Sequence, residues 1–197
     1  MVPKQAFRAY EDSGNVDEAR YCLACGSALR DSVRGGRTRR ACPACGYIHY
    51  TGPAAGVAVL VVDGDRFVLC RRRPDMLEGG KWCLPCGYVE YDEDFLTAAL
   101  REVQEETGLQ VEIETIISVS SNFLTPKVHT VVTVLLARPA GGELAAGDDI
   151  DLVRWHTPSD DLPEMAFESD RHIIERYFAT SLGGAPVDPS LARLSEL

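Results

Sequence analysis

Residues 54–62 form the longest apolar run of the chain, and a second apolar-rich stretch, 66–72, follows after Asp63-Gly64-Asp65. An Asp-Gly pair between two such runs predicts two strands joined by a hairpin. Residues 111–119 and 128–137 are rich in β-branched side chains and predict two further strands, with a short one at 152–156. Helical spacing occurs twice. Leu96, Ala99, Leu100 and Val103 recur on one face of a segment that Asp92 or Asp94 can cap and Gly108 can end. Ile173, Ile174, Tyr177 and Phe178 form the apolar stripe of a helix over 168–181, stopped by Gly183-Gly184. The segments 73–86, 141–142 and 145–149 read as loops. The pattern divides the chain into a lead of one or two helical turns (1–20), a small module (21–50), an α/β domain (51–182) and a loose tail (183–197).

With 197 residues and 45% hydrophobic content, the chain suffices for one domain plus a small module. Its net charge of −10 argues against a general nucleic-acid surface. The charge is uneven, +3 over residues 1–50 and −13 over 51–197. An acidic region that binds an anionic substrate needs cations between the two. The first twenty residues are polar and mixed in charge, with no secretory pattern, and the apolar runs fall short of the roughly 20 residues of a membrane helix. A cytoplasmic protein without membrane contact is expected.

The chemistry concentrates at 87–109. A helix turns about every 3.6 residues, so Glu102, Glu105 and Glu106 crowd one stripe. They repel one another unless a cation lies among them, and hard divalent ions such as Mg2+ or Mn2+ suit an all-oxygen set. Glu105 and Glu106 also oppose the helix dipole, a penalty that folding alone does not explain. A solvated acidic face accounts for one or two such glutamates, but not for the whole constellation.

Gly87, Glu93, Arg101-Glu102-Val103, Glu105-Glu106 and Gly108-Leu109 fill nine fixed positions, and the segment resembles the signature of the Nudix hydrolases at each of them. The resemblance implies an α/β/α sandwich around a mixed sheet, and hydrolysis of a nucleoside diphosphate linked to another moiety. It makes Glu102, Glu105 and Glu106 metal ligands, with the Cys86 backbone carbonyl beside them. It makes Arg101 and Glu93 the pair that positions the loop and these glutamates. Two positions depart from the pattern. Cys86 stands where relatives usually have glycine, so any special backbone angle there would be strained, and Asp92 stands where glycine is frequent. Trp82, Leu84 and Pro85 match the family's lead-in. Relatives often place a phosphate-facing arginine where Arg71, Arg72 and Arg73 stand, and one of the three is expected to serve, because phosphate suits forked donors. Phe123 or Phe167 is a candidate to stack on a base, or else core. The general base is either a signature glutamate or an acid of the loop with Glu143, Asp148 and Asp149, whose other reading is solubility. His129 and His156 read as ordinary strand histidines.

Cys22-x-x-Cys25-Gly26 and Cys42-x-x-Cys45-Gly46, sixteen residues apart, have the spacing of a structural zinc site. Glycine after each second cysteine permits the tight turn. Four thiolates complete the site without His49. Disulfides are disfavoured by the odd count of seven cysteines. Cys83-x-x-Cys86 reads as local packing, and Cys70 as a buried strand residue. A zinc ribbon ahead of the signature resembles the N-terminal module of NADH pyrophosphatases, and more closely a ribbon group that includes plant FAD pyrophosphatases. The resemblance implies ADP-ribose or an FAD-like dinucleotide first, NADH second and nucleotide sugars third, and it allows a homodimer. The alternative class is a nucleotide-sensing module, or one binding RNA or a partner through Arg34, Arg37, Arg39 and Arg40, without hydrolysis.

Overall fold

A computed structural model describes residues 2–10, 19–180 and 182–188. Its elements are β1 (Ala6–Arg8), β2 (Arg30–Arg34), β3 (Arg37–Ala41), β4 (Ala54–Asp63), β5 (Arg66–Arg72), β6 (Trp82–Cys83), β7 (Cys86–Tyr88), α1 (Phe95–Thr107), β8 (Leu109–Thr125), β9 (Val128–Gly142), β10 (Ile150–His156), α2 (Glu168–Thr180) and β11 (Ala185–Pro186). The large sheet runs β1-β8-β9-β4-β5-β10, with the short β6, β7 and β11 pairing β5, β4 and β8. β4 is parallel to β9, whereas β8 and β9 are antiparallel, as are β5 and β10, so the sheet is mixed.

Period-two alternation divides the central strands between two cores. Val57, Val59 and Val61 of β4, Val68 and Cys70 of β5, and Leu135 and Ala137 of β9 pack with Leu96, Ala99, Leu100 and Val103 of α1. Ala58, Leu60, Phe67, Leu69, Val134 and Leu136 face the other way, onto Ile173 and Ile174 of α2. Both faces of the sheet are therefore covered, which is the expected α/β/α sandwich. Each fully enclosed Leu or Val side chain contributes about 1.5–3 kcal/mol to this arrangement.

The ends of α1 are closed by side chain and glycine. Asp94 is the N-cap, accepting from the amides of Leu96 and Thr97 at 2.8 and 3.1 Å and from the Thr97 hydroxyl at 2.8 Å. Gly108 ends the helix at φ 71°, its N–H donating to the Gln104 carbonyl. The acidic loop then closes over the helix end. Ala145 N–H donates to the Thr107 carbonyl, and Gly147 N–H to that of Glu106. A side chain at Gly147 would meet the Glu105 carbonyl at 2.3 Å.

Several local expectations are corrected. Within the described part of the lead, Ala6–Arg8 form the short strand β1, parallel to β8, rather than helical turns. The segment 73–86 contains β6 and the start of β7, strands too short to show an alternation. β8 continues to Thr125, through the polar stretch Ser120-Ser121-Asn122. Part of the tail is docked, because Ala185 and Pro186 pair with β8 and the Thr115 hydroxyl donates to the Ala185 carbonyl at 2.6 Å. The expectations for residues 11–18, Ser181 and 189–197 lie outside the described residues.

Ahead of the sandwich, two knuckles carry the paired cysteines. Gly26 N–H donates to the Cys22 carbonyl and Gly46 N–H to that of Cys42, with both glycines at positive φ. β2 and β3 form the hairpin between them, turning at Gly35-Gly36.

Asp94→Ala is expected to lower the stability of the sandwich by about 1 kcal/mol, the usual loss for a removed N-cap. Urea unfolding followed by fluorescence of Trp82 and Trp155 measures it, and an unchanged midpoint would refute the capping role.

Candidate active site

The site assembles where β7 hands the chain to α1. Arg101 is its hub. Its Nε and Nη2 donate to the two oxygens of Glu93 at 3.0 and 2.6 Å, its Nη1 to Glu102 Oε1 at 2.7 Å and Glu105 Oε2 at 2.9 Å, and its Nη2 also to the Tyr88 carbonyl at 3.1 Å. The forked guanidinium thus joins the β7 loop to the helix. Its hydrogen bonds hold Glu93 below the usual carboxylate range.

Glu106 is 1% exposed, and its Oε2 accepts the Cys86 N–H at 2.8 Å. Burial pushes its carboxyl well above the ordinary range. Burial also raises Glu102, against the pull of Arg101. Gly87 leaves room for this arrangement: a β-carbon there would lie 2.1 Å from Glu102 Oε1. The φ of Gly87 is not positive, so it is the Glu102 carboxylate resting on the backbone that favours glycine here; a side chain would displace that carboxylate. Among the described non-glycine residues only Glu78 and Asp148 have positive φ, so Cys86 carries none of the strain expected of it.

The segment 82–86 is tied on both sides. Trp82 N–H donates to the Glu164 carbonyl, and the Trp82 carbonyl accepts from Ala166 N–H. Leu84 N–H donates to Asp170 Oδ2 at 3.0 Å, while Cys86 N–H reaches Glu106. Asp170, wholly enclosed, is pushed up to about 7 by burial. Cys83, hydrogen-bonded by Cys86 yet enclosed, is pushed up to about 11, a thiol that is poorly nucleophilic.

These elements enclose a cavity of about 450 Å³. Glu90, Glu102, Glu105, Glu106, Asp148, Asp149 and Asp170 line it, against two arginines, Arg72 and Arg101. Of the three consecutive arginines, Arg72 alone is in the wall. It is buried, donates to the Leu77 carbonyl at 2.8 Å and pairs with Asp149 at 3.3 Å. Arg71 pairs with Asp151 and Arg73 with Asp75, neither in the lining. Phe167 lines the cavity and Phe123 does not; Phe123 lies under the Arg8 guanidinium and edge-on to His129. The acidic loop brings Asp148 and Asp149 to the wall, but not Glu143. Asn122, Thr130, Ser169 and Tyr88 are wall residues that the sequence did not disclose. A signal existed for one of them, as Asn122 alternates with Ser120 on β8 and both polar side chains are buried.

The donor set fits hard divalent cations, being all oxygen and in excess of the neighbouring positive charge. The oxygens of Glu102, Glu105 and Glu106 do not converge on one point, and Arg101 bonds both Glu102 and Glu105. Among the described residues, the four thiols of Cys22, Cys25, Cys42 and Cys45 are the group that gathers as a metal cluster, all within 4.8 Å of one another. Separations of 3.6 Å (Cys22–Cys45) and 3.5 Å (Cys25–Cys42) suit the edges of a tetrahedron around zinc. Hydrogen bonds from Ser27 lower the Cys25 thiol to about 6, while at Cys45, against a backbone hydrogen bond to Tyr47, the neighbouring cysteines push the thiol up to about 12, as expected of thiols crowded together.

Comparison with known proteins agrees with both halves. The NUDIX domain profile matches residues 52–177, and the Nudix N-terminal zinc-ribbon profile matches 20–51. This chain belongs to the Nudix family. A NUDIX hydrolase structure from Nitrosomonas europaea superposes with a TM-score of 0.74 at 26% identity, covering 86% of this chain and 97% of that one. The NAD-capped RNA hydrolase NudC of Stutzerimonas stutzeri (strain A1501) is 32% identical over 171 residues, 85% of this chain and 59% of its own length. The ADP-ribose pyrophosphatase of Methanocaldococcus jannaschii is 33% identical over 132 residues, 66% of this chain and 76% of its own. The chain thus spans 59% of the first of these relatives. Nudix enzymes use divalent metals, and the four cysteines match the family's zinc ribbon. No helix among the described residues is long and apolar enough to cross a membrane.

Purified protein is expected to carry about one zinc per chain, and Cys42→Ser to release it to a chromogenic chelator at least about tenfold more readily. A metal-free wild type with four alkylatable ribbon thiols would refute the zinc assignment. Glu106→Gln is expected to lower turnover about a hundredfold or more, and Gly87→Ala about tenfold by displacing Glu102, both with unchanged circular dichroism. Near-wild-type turnover of Glu106→Gln at saturating Mg2+ would remove it from the ligand set.

Proposed function

We propose that this Nudix protein hydrolyses the pyrophosphate linkage of a nucleoside diphosphate derivative, with ADP-ribose or a dinucleotide such as FAD or NADH as substrate. The observation that carries the reading is the excess of carboxylates over arginines in one cavity, with Glu102 and Glu106 buried against the signature loop. Such a wall repels a diphosphate unless cations intervene. Glu102, Glu105, Glu106 and the Cys86 carbonyl are the groups that would hold them. When bound, Mg2+ or Mn2+ neutralises phosphate oxygens and acidifies the attacking water. Arg101 and Glu93 fix the loop and the helix relative to each other. Arg72, partly neutralised by Asp149, offers a forked donor to a phosphate oxygen. Asp148 and Asp149, both in the wall, are the candidates outside the signature for accepting the proton of the attacking water.

The cavity volume lies in the range of small-molecule sites. Phe167 and Tyr88 supply flat surfaces for a base. The two relatives, an NAD-capped RNA hydrolase and an ADP-ribose pyrophosphatase, are both named for nucleotides with an internal diphosphate, which supports this substrate class. ADP-ribose would be cleaved to AMP and ribose 5-phosphate.

The test is a panel of ADP-ribose, FAD, NADH, NAD+, diadenosine polyphosphates and nucleotide sugars with Mg2+ or Mn2+, with products identified. ADP-ribose or FAD is expected to exceed the nucleotide sugars at least about tenfold in kcat/KM, and Phe167→Ala to raise KM by roughly tenfold. Inactivity on every member would favour the nucleotide-sensing alternative.

A further inference from the structure

The register of the ribbon hairpin sorts its charges. Arg30 pairs with Ala41, Ser32 with Arg39 and Arg34 with Arg37, while Asp31 pairs with Arg40 and Val33 with Thr38. Directly opposed residues share a face and alternate residues change face. Arg30, Arg34, Arg37 and Arg39 therefore project from one side of the two-stranded sheet. The hairpin's one acidic residue, Asp31, is on the other side, bonded to Arg40 at 2.9 Å. Arg40 also donates to the Ala19 and Leu29 carbonyls, so its charge has a structural use. Arg30, Arg34 and Arg37 are exposed, and among the described residues they make no ion pair. Arg39 lies 4.7 Å over the ring of Tyr50, itself 66% exposed.

Four like charges on a face about 14 Å long repel one another. Nothing in the ribbon's folding asks for them, since the knuckles are held by backbone hydrogen bonds and thiols. Between Ala19 and Tyr50 there are six arginines, no lysine and one acidic residue, although residues 51–197 carry −13. Arginine is the side chain that forks onto phosphate oxygens and stacks on flat rings. A guanidinium already stacked on an exposed tyrosine makes a platform for a base.

We infer that the arginine face of the ribbon hairpin binds the phosphate backbone of single-stranded RNA, with Tyr50 and Arg39 stacking an unpaired base. The choice of RNA rests on the reading of the catalytic cavity as one for ribonucleotides. Binding is expected to be sequence-tolerant, because the contacts go to phosphates and to a ring face. It does not conflict with the acidic balance of the whole chain, because the positive charge is confined to one small face.

The experiment uses full-length protein and a labelled single-stranded RNA of about twenty nucleotides, titrated from 50 to 200 mM salt without divalent ions, so that no hydrolysis enters. Neutralising four phosphates predicts a slope of about −3 in log affinity against log salt, a weakening of roughly fiftyfold over that range. The double variant Arg34→Ser/Arg37→Ser is expected to flatten the slope by about 1.4 while keeping zinc content and small-molecule turnover. Tyr50→Ala is expected to weaken binding about tenfold with the slope unchanged. The proposal is overturned if the RNA fails to bind at the lowest salt, or if the double variant binds it with the wild-type slope. Single-stranded DNA is expected to bind about as well, because no contact is made to the 2′-hydroxyl, whereas equal affinity for an acidic peptide would overturn the nucleic-acid assignment. Loss of self-association in the variant without any loss of RNA binding would reassign the face to a second copy of this acidic chain. RNA binding with no turnover of the nucleotide panel would leave this face standing and sink the hydrolase reading, and the converse result would do the reverse.

Discussion

Glu102 and Glu106 are 8% and 1% exposed, and Glu106 sits in the last turn of a helix whose dipole already repels it, so the chain around them has to hold negative charge where water cannot. An enclosed carboxylate without partners costs several kcal/mol. The surrounding groups offset only part of that. Arg101 serves Glu102, and one backbone N–H serves Glu106. The imbalance is what a divalent cation would complete, and it explains why neighbouring residues are so narrowly specified. Gly87 must lack a side chain, Arg101 must reach three glutamates at once, and Gly147 must let the acidic loop lie on the helix end.

The fold was legible where periodicity and punctuation agree. The two central strands, the two helices and the Gly108 stop follow from apolar spacing and local residue roles, while the structure decides the N-cap, open between Asp92 and Asp94, for Asp94. The knuckles followed from cysteine spacing and glycine position. Legibility failed where an element is too short to show a period, as in β1, β6, β7 and β11. It failed again where a strand turns polar side chains inward: Ser120 and Asn122 on β8 are both buried, and Asn122 faces a cavity that a one-dimensional pattern does not show.

Within the site, the signature helix was readable because its residues are neighbours in sequence. The wall opposite is not, being gathered from β8, β9, the acidic loop and the first turn of α2. Arg71, Arg72 and Arg73 are chemically identical in sequence. Strand alternation and the bend into the following loop decide which one enters the cavity, and that is a property of pairing with β10. Net charge alone averages a basic hairpin face into an acidic total.

The five residues from Trp82 to Cys86 touch both helical layers: by way of Trp82 and Leu84 they hold the chain entering α2, and through Cys86 they hold Glu106 of α1. Under the proposed reading, any discrimination among bases near Phe167 and Asp170 would therefore hang from the same short span as the glutamates that would hold cations. Adapting such an enzyme to a new leaving group by changes in α2 would disturb metal affinity as well. Diversification of substrate choice in this architecture is easier from the β8–β9 side, which among the described residues shares no hydrogen bond with that span.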